Sequence, residues 1–187
     1  MSHDIIIVDD IIPRIEQEAI KNHMLSRSFP WFYVPNITNP KSNVPIPALS
    51  HVFKQLGEVN SSMYSRIEPI GKIGAAKYDP EFDNVYNVRS FLQTPRGVSN
   101  INMLHTDIAQ EHVVVLYYVL DSDGDTVIVD KKFTGVEEDL NIEDCNIIHS
   151  ITPKQGRAII FNGNQYHASS TPKDNVRCVI NFDVISE

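Results

Sequence analysis

Three short segments of the chain carry side chains that together could bind a metal ion. His105 and Asp107 lie two residues apart. His167 follows in a later segment, and Arg177 comes ten residues after it. On an extended strand, residues two apart point to the same face, so the side chains of His105 and Asp107 can reach one ion. Two imidazoles and one carboxylate form a ligand set that suits Fe(II) and leaves other coordination positions open.

The sequence around His167 and Arg177 strengthens this prediction, because a short His-x-Asp motif alone often occurs by chance. His167 ends a segment in which an apolar run from Gly156 is followed by the turn Asn162-Gly-Asn164. Arg177 opens the next apolar run, and we predict a hairpin that folds it back toward His167. A guanidinium in such an interior needs an anionic partner, because a buried unpaired charge is costly. That partner is either Asp107, in a purely structural role, or the carboxylate of a ligand bound at the metal.

The composition is that of a soluble globular protein, and we predict a single domain over residues 1–187. Of the 187 residues, 42% are hydrophobic and 21% are charged, and the net charge is -8. Nucleic-acid binders usually carry a basic patch, so we expect no nucleic-acid partner. No apolar run is long enough to span a bilayer, and the start of the chain lacks the pattern of a signal peptide. Cys145 and Cys178 do not form a Cys-x-x-Cys pair, which favours a reducing cytoplasm without a disulfide framework.

Residues 1–84 show mainly helical patterns. A short buried strand at Ile5–Val8 is followed by Pro13, a residue that is often found at the start of a helix. A second helix is predicted over Leu49–Leu56, where apolar residues recur with the helical spacing of three and four. A third helical stretch around Met63–Ile70 is weaker, because glycines follow it closely. We therefore expect an N-terminal layer of helices that supports the rest of the protein.

Residues 85–187 show short β-rich runs that alternate with turns rich in Gly, Asn, Asp and Pro. Such a series is typical of a double-sheet jelly roll, also called a double-stranded β-helix. The run Val113–Leu120 is apolar throughout, which predicts a strand buried on both faces and helices packed on one of the two sheets. The predicted fold class is thus mostly β with N-terminal helices. The predicted strands are Tyr86–Leu92, His112–Leu120, Thr126–Val129, Asn146–Ile151, Arg157–Phe161 and Arg177–Val184.

These motifs, in this order, resemble the 2-oxoglutarate- and Fe(II)-dependent dioxygenases, specifically their prolyl-4-hydroxylase-like branch. The segments Leu116–Leu120, Asp123–Thr126 and Gly156–Phe161 are similar to that family's core strands and turns. Ile7–Pro13 and Phe29–Tyr33 further resemble its small phage-encoded members. The resemblance covers most of the chain, and it implies a host cytoplasm if the protein is encoded by a phage.

The resemblance also implies a role for each candidate site residue. His105, Asp107 and His167 match the iron ligands of the family. Arg177 matches the basic residue that pairs with the C5 carboxylate of 2-oxoglutarate, and Tyr118 matches a tyrosine that hydrogen-bonds the same carboxylate. The implied cofactor is Fe(II), with 2-oxoglutarate and O2 as co-substrates and ascorbate as a candidate reductant.

Several assignments stay open in the sequence. Tyr117 and Tyr118 point to opposite faces of one strand, and the pattern does not decide which of them faces the co-substrate. Arg89, on the first core strand, is either a salt-bridged or surface arginine or a substrate contact. His112 and His149 are expected to be structural or solvent-facing, since the three ligands already complete a facial triad.

Two departures from related enzymes narrow the reaction. The run Arg177–Asp183 lacks the Arg-x-Asn-x-Thr-x-Arg pattern of the nucleic-acid demethylating branch. Iron halogenases replace the carboxylate ligand with a small residue, and Asp107 is present here. The sequence therefore favours a hydroxylase that acts on peptidyl proline or another protein side chain, with a free amino acid or small metabolite as the alternative substrate. A non-catalytic jelly-roll binding module and a cupin-type metal enzyme without 2-oxoglutarate are the remaining alternatives.

Overall fold

A computed structural model describes residues 5–37, 45–136, 138 and 140–186. Within these ranges the chain forms two α-helices, α1 (Arg14–Met24) and α2 (Tyr64–Tyr78), and one 3₁₀ helix at Ile142–Asp144. The strands are β1 (Ile6–Val8), β2 (Phe32–Val34), β3 (Ala48–Gln55), β4 (Glu58–Val59), β5 (Phe82–Gln93), β6 (Val113–Tyr118), β7 (Thr126–Lys132), β8 (Ile147–Ile151), β9 (Ala158–Asn162), β10 (Gln165–Ser169) and β11 (Arg177–Ser186).

The described strands form one large and one small sheet. The large sheet has eight strands in the order β1-β9-β6-β11-β5-β3-β2, with β4 paired to β3, and the small sheet has the order β10-β7-β8. All strand pairs are antiparallel. Side chains of the large sheet, including Leu116 and Val179, pack against Ile128 and Ile151 of the small sheet. This mostly β architecture of two packed sheets is consistent with the predicted jelly roll.

Strand β6 lies at the centre of the fold and separates two hydrophobic layers. All six of its residues are buried, which confirms the prediction of burial on both faces. Val115 and Tyr117 pack in the cluster that includes Ile67 of α2. Leu116 and Tyr118 pack on the opposite side, toward the small sheet. Tyr118 is therefore the tyrosine that faces the space between the sheets, and Tyr117 faces the helices.

Two glycines let α2 lie close against the large sheet. A β-carbon at Gly71 would lie 2.7 Å from the ring of Phe182, and one at Gly74 would lie 2.6 Å from a methyl group of Val115. These glycines weaken the helical pattern in the sequence, but the close approach that they permit allows the helix to pack tightly. The prediction that helices cover one sheet is confirmed.

The predicted helix over Leu49–Leu56 is wrong, because this segment forms the eight-residue strand β3. β3 pairs with β5 on one side and with β2 and β4 on the other. Neighbouring residues Val52 and Phe53 are good strand formers, and two-sided pairing in a sheet overrides a spacing that also fits a helix. Helices and strands therefore alternate within residues 1–84, and the helices do not form a separate N-terminal layer.

The predicted hairpin between His167 and Arg177 is also wrong. His167 lies on β10, a strand that we did not predict, and β10 pairs with β7 in the small sheet. Arg177 lies on β11, which pairs with β5 and β6 in the large sheet. The two residues approach each other across the space between the sheets.

No helix in the described part of the chain is long and apolar enough to cross a membrane.

We predict that Gly74→Val lowers the free energy of unfolding by about 1–3 kcal/mol, the usual cost of overpacking a tight core. The cause is the missing space between α2 and Val115. Urea unfolding followed by circular dichroism measures the change. Ala76→Val is the matched control, since Ala76 is exposed on the same helix and its replacement costs about 0.5 kcal/mol through helix propensity. Equal losses in both variants would contradict the packing argument.

Candidate metal centre

A backbone pairing brings the first and last candidate ligands together. The amide of His105 donates to the carbonyl of His167 over 3.0 Å, and the amide of His167 donates to the carbonyl of His105 over the same distance. Residues paired in this way in an antiparallel arrangement project their side chains to the same side. The centroids of the two imidazole rings accordingly lie 4.6 Å apart.

Asp107 completes a group of three possible ligands. One ligand atom from each of His105, Asp107 and His167 lies within 4.8 Å of the others. The Oδ2 atom of Asp107 is buried, 3.4 Å from Nε2 of His167, and apart from this ring nitrogen it has no hydrogen-bond partner among the described residues. The sequence prediction that these three side chains meet agrees with their placement. The orphaned carboxylate oxygen is available for a cation.

The hydrogen bonds of the two histidines place their lone pairs toward this group. Nδ1 of His105 lies 3.2 Å from the carbonyl oxygen of Met103, and Nδ1 of His167 lies 3.0 Å from that of Gln165. A carbonyl oxygen only accepts, so each Nδ1 carries the hydrogen in the neutral ring and Nε2 has the free lone pair. Histidines that bind metals commonly make this second contact, and the donor set therefore fits a metal ion.

The electrostatics keep Asp107 ionised. Burial alone would raise the pKa of Asp107, but the hydrogen bond and charge of His167, the charge of His105 and that of Arg89 together hold it well below its usual range. Desolvation by neighbouring protein atoms, and then the charge of His167, lower the pKa of His105 to about 4, although the residue keeps an exposed surface. An ionised carboxylate and a neutral imidazole are the forms that bind a metal.

His167 differs from His105, because it lies against the carboxylate. Burial lowers the pKa of His167, but the hydrogen bond and charge of Asp107 outweigh it and raise the pKa above its usual value. A proton on His167 is therefore favoured, because it offsets the charge of the adjacent carboxylate. A divalent cation at the same position would take over this function of the proton.

A cavity of about 250 Å³ extends from the three ligands to Arg177. Its walls combine apolar side chains, such as Phe91 and Val179, with a few polar ones. An apolar cleft with convergent polar groups is the usual form of a small-molecule site. The lining residues are Ile37, Arg89, Phe91, Gln93, Asn102, Met103, His105, Thr106, Asp107, Leu116, Thr126, His167, Ala168, Ser169, Arg177, Val179 and Asn181.

Arg177, at the far end of this cavity, makes hydrogen bonds only to neutral groups. It is 4% exposed, and its guanidinium donates to the Gly124 carbonyl over 2.9 Å, to Oε1 of Gln93 over 3.2 Å and to Oγ1 of Thr126 over 3.0 Å. No carboxylate of the described residues forms an ion pair with it within 4 Å. Burial lowers the pKa of Arg177, and a buried guanidinium without a counter-charge favours the binding of an anion.

Tyr118 reaches this end of the cavity through Thr126. The Tyr118 hydroxyl donates to Oγ1 of Thr126 over 2.8 Å, and Thr126 but not Tyr118 lines the cavity. Thr126 and Gln93 were not predicted as site residues. The segment Asp123–Thr126 already stood out in the sequence and could have indicated Thr126. Gln93 carries no such signal, because it is placed only by its pairing opposite Arg177 across β5 and β11.

The cationic partner of Asp107 is Arg89. The sequence had left open an ion pair between Asp107 and Arg177. The Nη2 atom of Arg89 lies 3.2 Å from Oδ1 of Asp107 and 3.6 Å from Oδ2 of Asp183. The salt-bridged alternative for Arg89 therefore agrees with its contacts, although Arg89 also lines the cavity. The sequence did not indicate Asp183. It stands out in the structure because it is fully buried and lies beside Arg89. His149 is half-buried on β8 and does not belong to the group formed by His105, Asp107 and His167.

No model of a protein family matches the sequence, and no curated protein does so either. Solved structures do match. The viral collagen prolyl hydroxylase vCPH from Paramecium Bursaria Chlorella virus-1, in its 2OG complex, is 15% identical over 98% of this chain and 96% of that chain, with a TM-score of 0.59. A Pseudomonas putida prolyl-4-hydroxylase is 12% identical over 97% and 92%, with a TM-score of 0.62.

A third match carries a different activity in its name. The epimerase SnoN, in complex with Fe3+, alpha ketoglutarate and nogalamycin RO, is 13% identical over 97% of this chain and 78% of that chain, with a TM-score of 0.68. At such identities the likeness establishes the fold. This chain therefore has the fold of 2-oxoglutarate and Fe(II) oxygenases, a group in which viral and bacterial prolyl hydroxylases occur. The predicted resemblance is confirmed at that level, and the phage-encoded origin stays a prediction.

We predict that His105→Ala, Asp107→Ala and His167→Ala each weaken Co(II) binding by at least about 100-fold, more than the loss of a supporting contact around a metal. Each change removes one of three ligands. Isothermal titration calorimetry of the metal-free protein measures the affinity. His149→Ala is the control and should bind as the wild type does. Binding by Asp107→Ala with unchanged affinity would show that the three residues do not form the metal site.

Proposed function

We propose that this protein is a 2-oxoglutarate- and Fe(II)-dependent oxygenase in which His105, Asp107 and His167 hold the iron. The observation that carries the proposal is a single cavity with two chemically distinct ends. One end has the three convergent ligands, and the other has the buried Arg177 without a carboxylate partner. A molecule with a metal-chelating head and a distal carboxylate satisfies both ends, and 2-oxoglutarate has this form.

The residues at the Arg177 end would bind the C5 carboxylate of 2-oxoglutarate. Arg177 supplies the charge, and the Thr126 hydroxyl lies between Arg177 and Tyr118. Tyr118 has a supporting contact to Thr126, and its direct bond to the carboxylate remains part of the proposal. Two fixed ends of one rigid cavity hold the co-substrate in a single orientation, which is the main contribution that a protein makes to such a reaction.

Bound iron, with 2-oxoglutarate and O2, supplies the oxidative decarboxylation to succinate and CO2 and the oxidation of a substrate C–H bond. The protein itself would fix the three ligands in place. Asp107 would offer its Oδ2 atom to the metal, since its Oδ1 atom is held by Arg89. We propose hydroxylation as the outcome, although similar folds also include an epimerase and a carbocyclase.

We propose a peptide or protein side chain, with peptidyl proline first, as the substrate of a single oxygenase domain over residues 1–187 that functions in the cytoplasm. Two of the similar structures are prolyl hydroxylases, which supports this substrate class. SnoN and SnoK come from nogalamycin biosynthesis, which supports the alternative of a small molecule. Ascorbate would act as a reductant, and no nucleic-acid or membrane partner is expected.

Anaerobic loading with Fe(II) and 2-oxoglutarate, followed by O2, tests the proposed reaction. We expect the wild type to form succinate, and Asp107→Ala to form less than about 1% of the wild-type amount, because a lost ligand empties the site. Mass spectrometry quantifies succinate. Peptides and metabolites that stimulate its release, and gain one oxygen, identify the substrate. Absence of succinate from the iron-loaded wild type would favour a non-catalytic binding module.

We further predict that Arg177→Met raises the KM for 2-oxoglutarate by about 10–100-fold, since charge-assisted hydrogen bonds contribute about 1.5–3 kcal/mol each. The variant removes the buried charge and keeps most of the side-chain volume. Steady-state succinate formation against 2-oxoglutarate concentration gives the KM. Arg96→Met, at an exposed arginine, is the control and should leave the KM unchanged. An unchanged KM in Arg177→Met would show that Arg177 does not bind the C5 carboxylate. Substrate oxidation by the wild type without added 2-oxoglutarate would favour a cupin-type metal enzyme.

A further inference from the structure

A second group of possible metal ligands lies directly beside the first and shares Asp107 with it. One ligand atom from each of Asp107, His112 and Asp183 lies within 4.8 Å of the others. Both groups lie in the described part of the chain, and a carboxylate that belongs to two groups could bridge two metal ions. The local residues must therefore determine whether this centre holds one ion or two.

His112 has the same local arrangement as the two histidines of the first group. Its Nδ1 atom lies 2.8 Å from the carbonyl oxygen of Gln110, two residues earlier. The carbonyl accepts, so Nδ1 carries the hydrogen and Nε2 has the lone pair. His112 is fully buried, and its Nε2 atom has no hydrogen-bond partner. Gly163 leaves no space for a side chain against this ring, so the ring is closely confined.

Asp183 is held as firmly as His112. It is fully buried, and its two carboxylate oxygens accept hydrogen bonds from the amides of Asn87 and Asn181, each over 3.0 Å. Its cationic partner among the described residues is Arg89, at 3.6 Å. A buried carboxylate requires such a counter-charge, and Arg89 lies between Asp183 and Asp107.

We propose that Arg89 keeps the centre mononuclear by taking the place of a second cation between Asp107 and Asp183. The guanidinium has only donors, so it balances the carboxylates without providing a ligand. A divalent ion bound at Asp183 would lie within a few ångströms of this positive charge, and such a repulsion opposes binding. With Arg89 in place, the His112 nitrogen stays an unused ligand.

Arg89 also determines which oxygen of Asp107 serves the first site. Its bond to Oδ1 at 3.2 Å leaves Oδ2 on the side of His167, at 3.4 Å from Nε2. The Arg89 side chain is 34% exposed, so water can fill its place when it is shortened. Loss of Arg89 would free Oδ1 to bridge to a second ion held by His112 and Asp183. This inference depends on the proposed function only for the first metal site.

Metal stoichiometry tests the inference without any measurement of turnover. Metal-free protein is titrated with Co(II) at neutral pH, and bound cobalt per chain is counted after gel filtration by elemental analysis. We expect one ion in the wild type and two in Arg89→Met, because the second ligand group loses its resident charge. Arg89→Lys, which keeps a cation, should bind one. The double variant Arg89→Met/Asp183→Asn should return to one ion, since the second group then lacks its own carboxylate.

The outcomes separate this inference from the proposed function. No tightly bound cobalt in the folded wild type would overturn both. One ion in the wild type and one in Arg89→Met would overturn only the role of Arg89. Two ions in the wild type would also overturn it, since the centre would then be dinuclear with Arg89 present. Arg89→Gln carries the same expectation of two ions and replaces Arg89→Met if the latter does not fold, as judged by circular dichroism.

Discussion

The site depends on one strand, β11, which lies between β5 and β6 at the middle of the large sheet. Successive residues of a strand point to opposite faces, so β11 serves two environments at once. On one face, the hydrophobic cluster that includes Ile67 of α2 also contains Cys178, Ile180 and Phe182. Arg177 and Asn181, on the other face, line the cavity. A shift of one residue in this pairing would exchange the two sets, and the hydrophobic core therefore holds the polar residues in register.

The same face of β11 also explains the arrangement of charge in the interior. Arg177 lies at one end of the row without a carboxylate partner, and Asp183 lies further along it with Arg89 beside it. Asp183 has its pKa raised to about 7 by burial and then by Asp107. Isolated buried charges are costly, and among the described residues Arg177 and the group of His105, Asp107 and His167 are thus places that bound molecules can satisfy. A metal and a dicarboxylate supply opposite charges to these two places.

The sequence predicts the residues of the metal site better than the path of the chain that joins them. His105, Asp107 and His167 are recognisable because their types and order match a known chemistry. Their proximity, however, comes from a bridge between two segments that lie far apart in the sequence. Long-range pairing of this kind leaves no local pattern, since either partner reads as an ordinary short extended segment.

The prediction of a helix over Leu49–Leu56 failed for a related physical reason. Apolar residues at three- and four-residue spacing suit a helix, but they suit equally a strand that is covered on both faces. The long pairing with β5 decides between the two, and β5 lies far away in sequence. Thr126 and Gln93 were missed for the same reason, because their importance depends on contacts with Arg177, which Gln93 meets within the large sheet and Thr126 meets from the small sheet.

The fold does not by itself select the oxidised substrate. Structures with the same architecture include prolyl hydroxylases, an epimerase and a carbocyclase, so the metal ligands and the anion end are compatible with several outcomes. The difference must come from the groups that orient the substrate C–H bond. The apolar part of the cavity wall includes Ile37, Phe91 and Met103. Arg89 is already engaged by two carboxylates, and apart from Arg89, Arg177 and the three ligands the cavity is lined by neutral side chains.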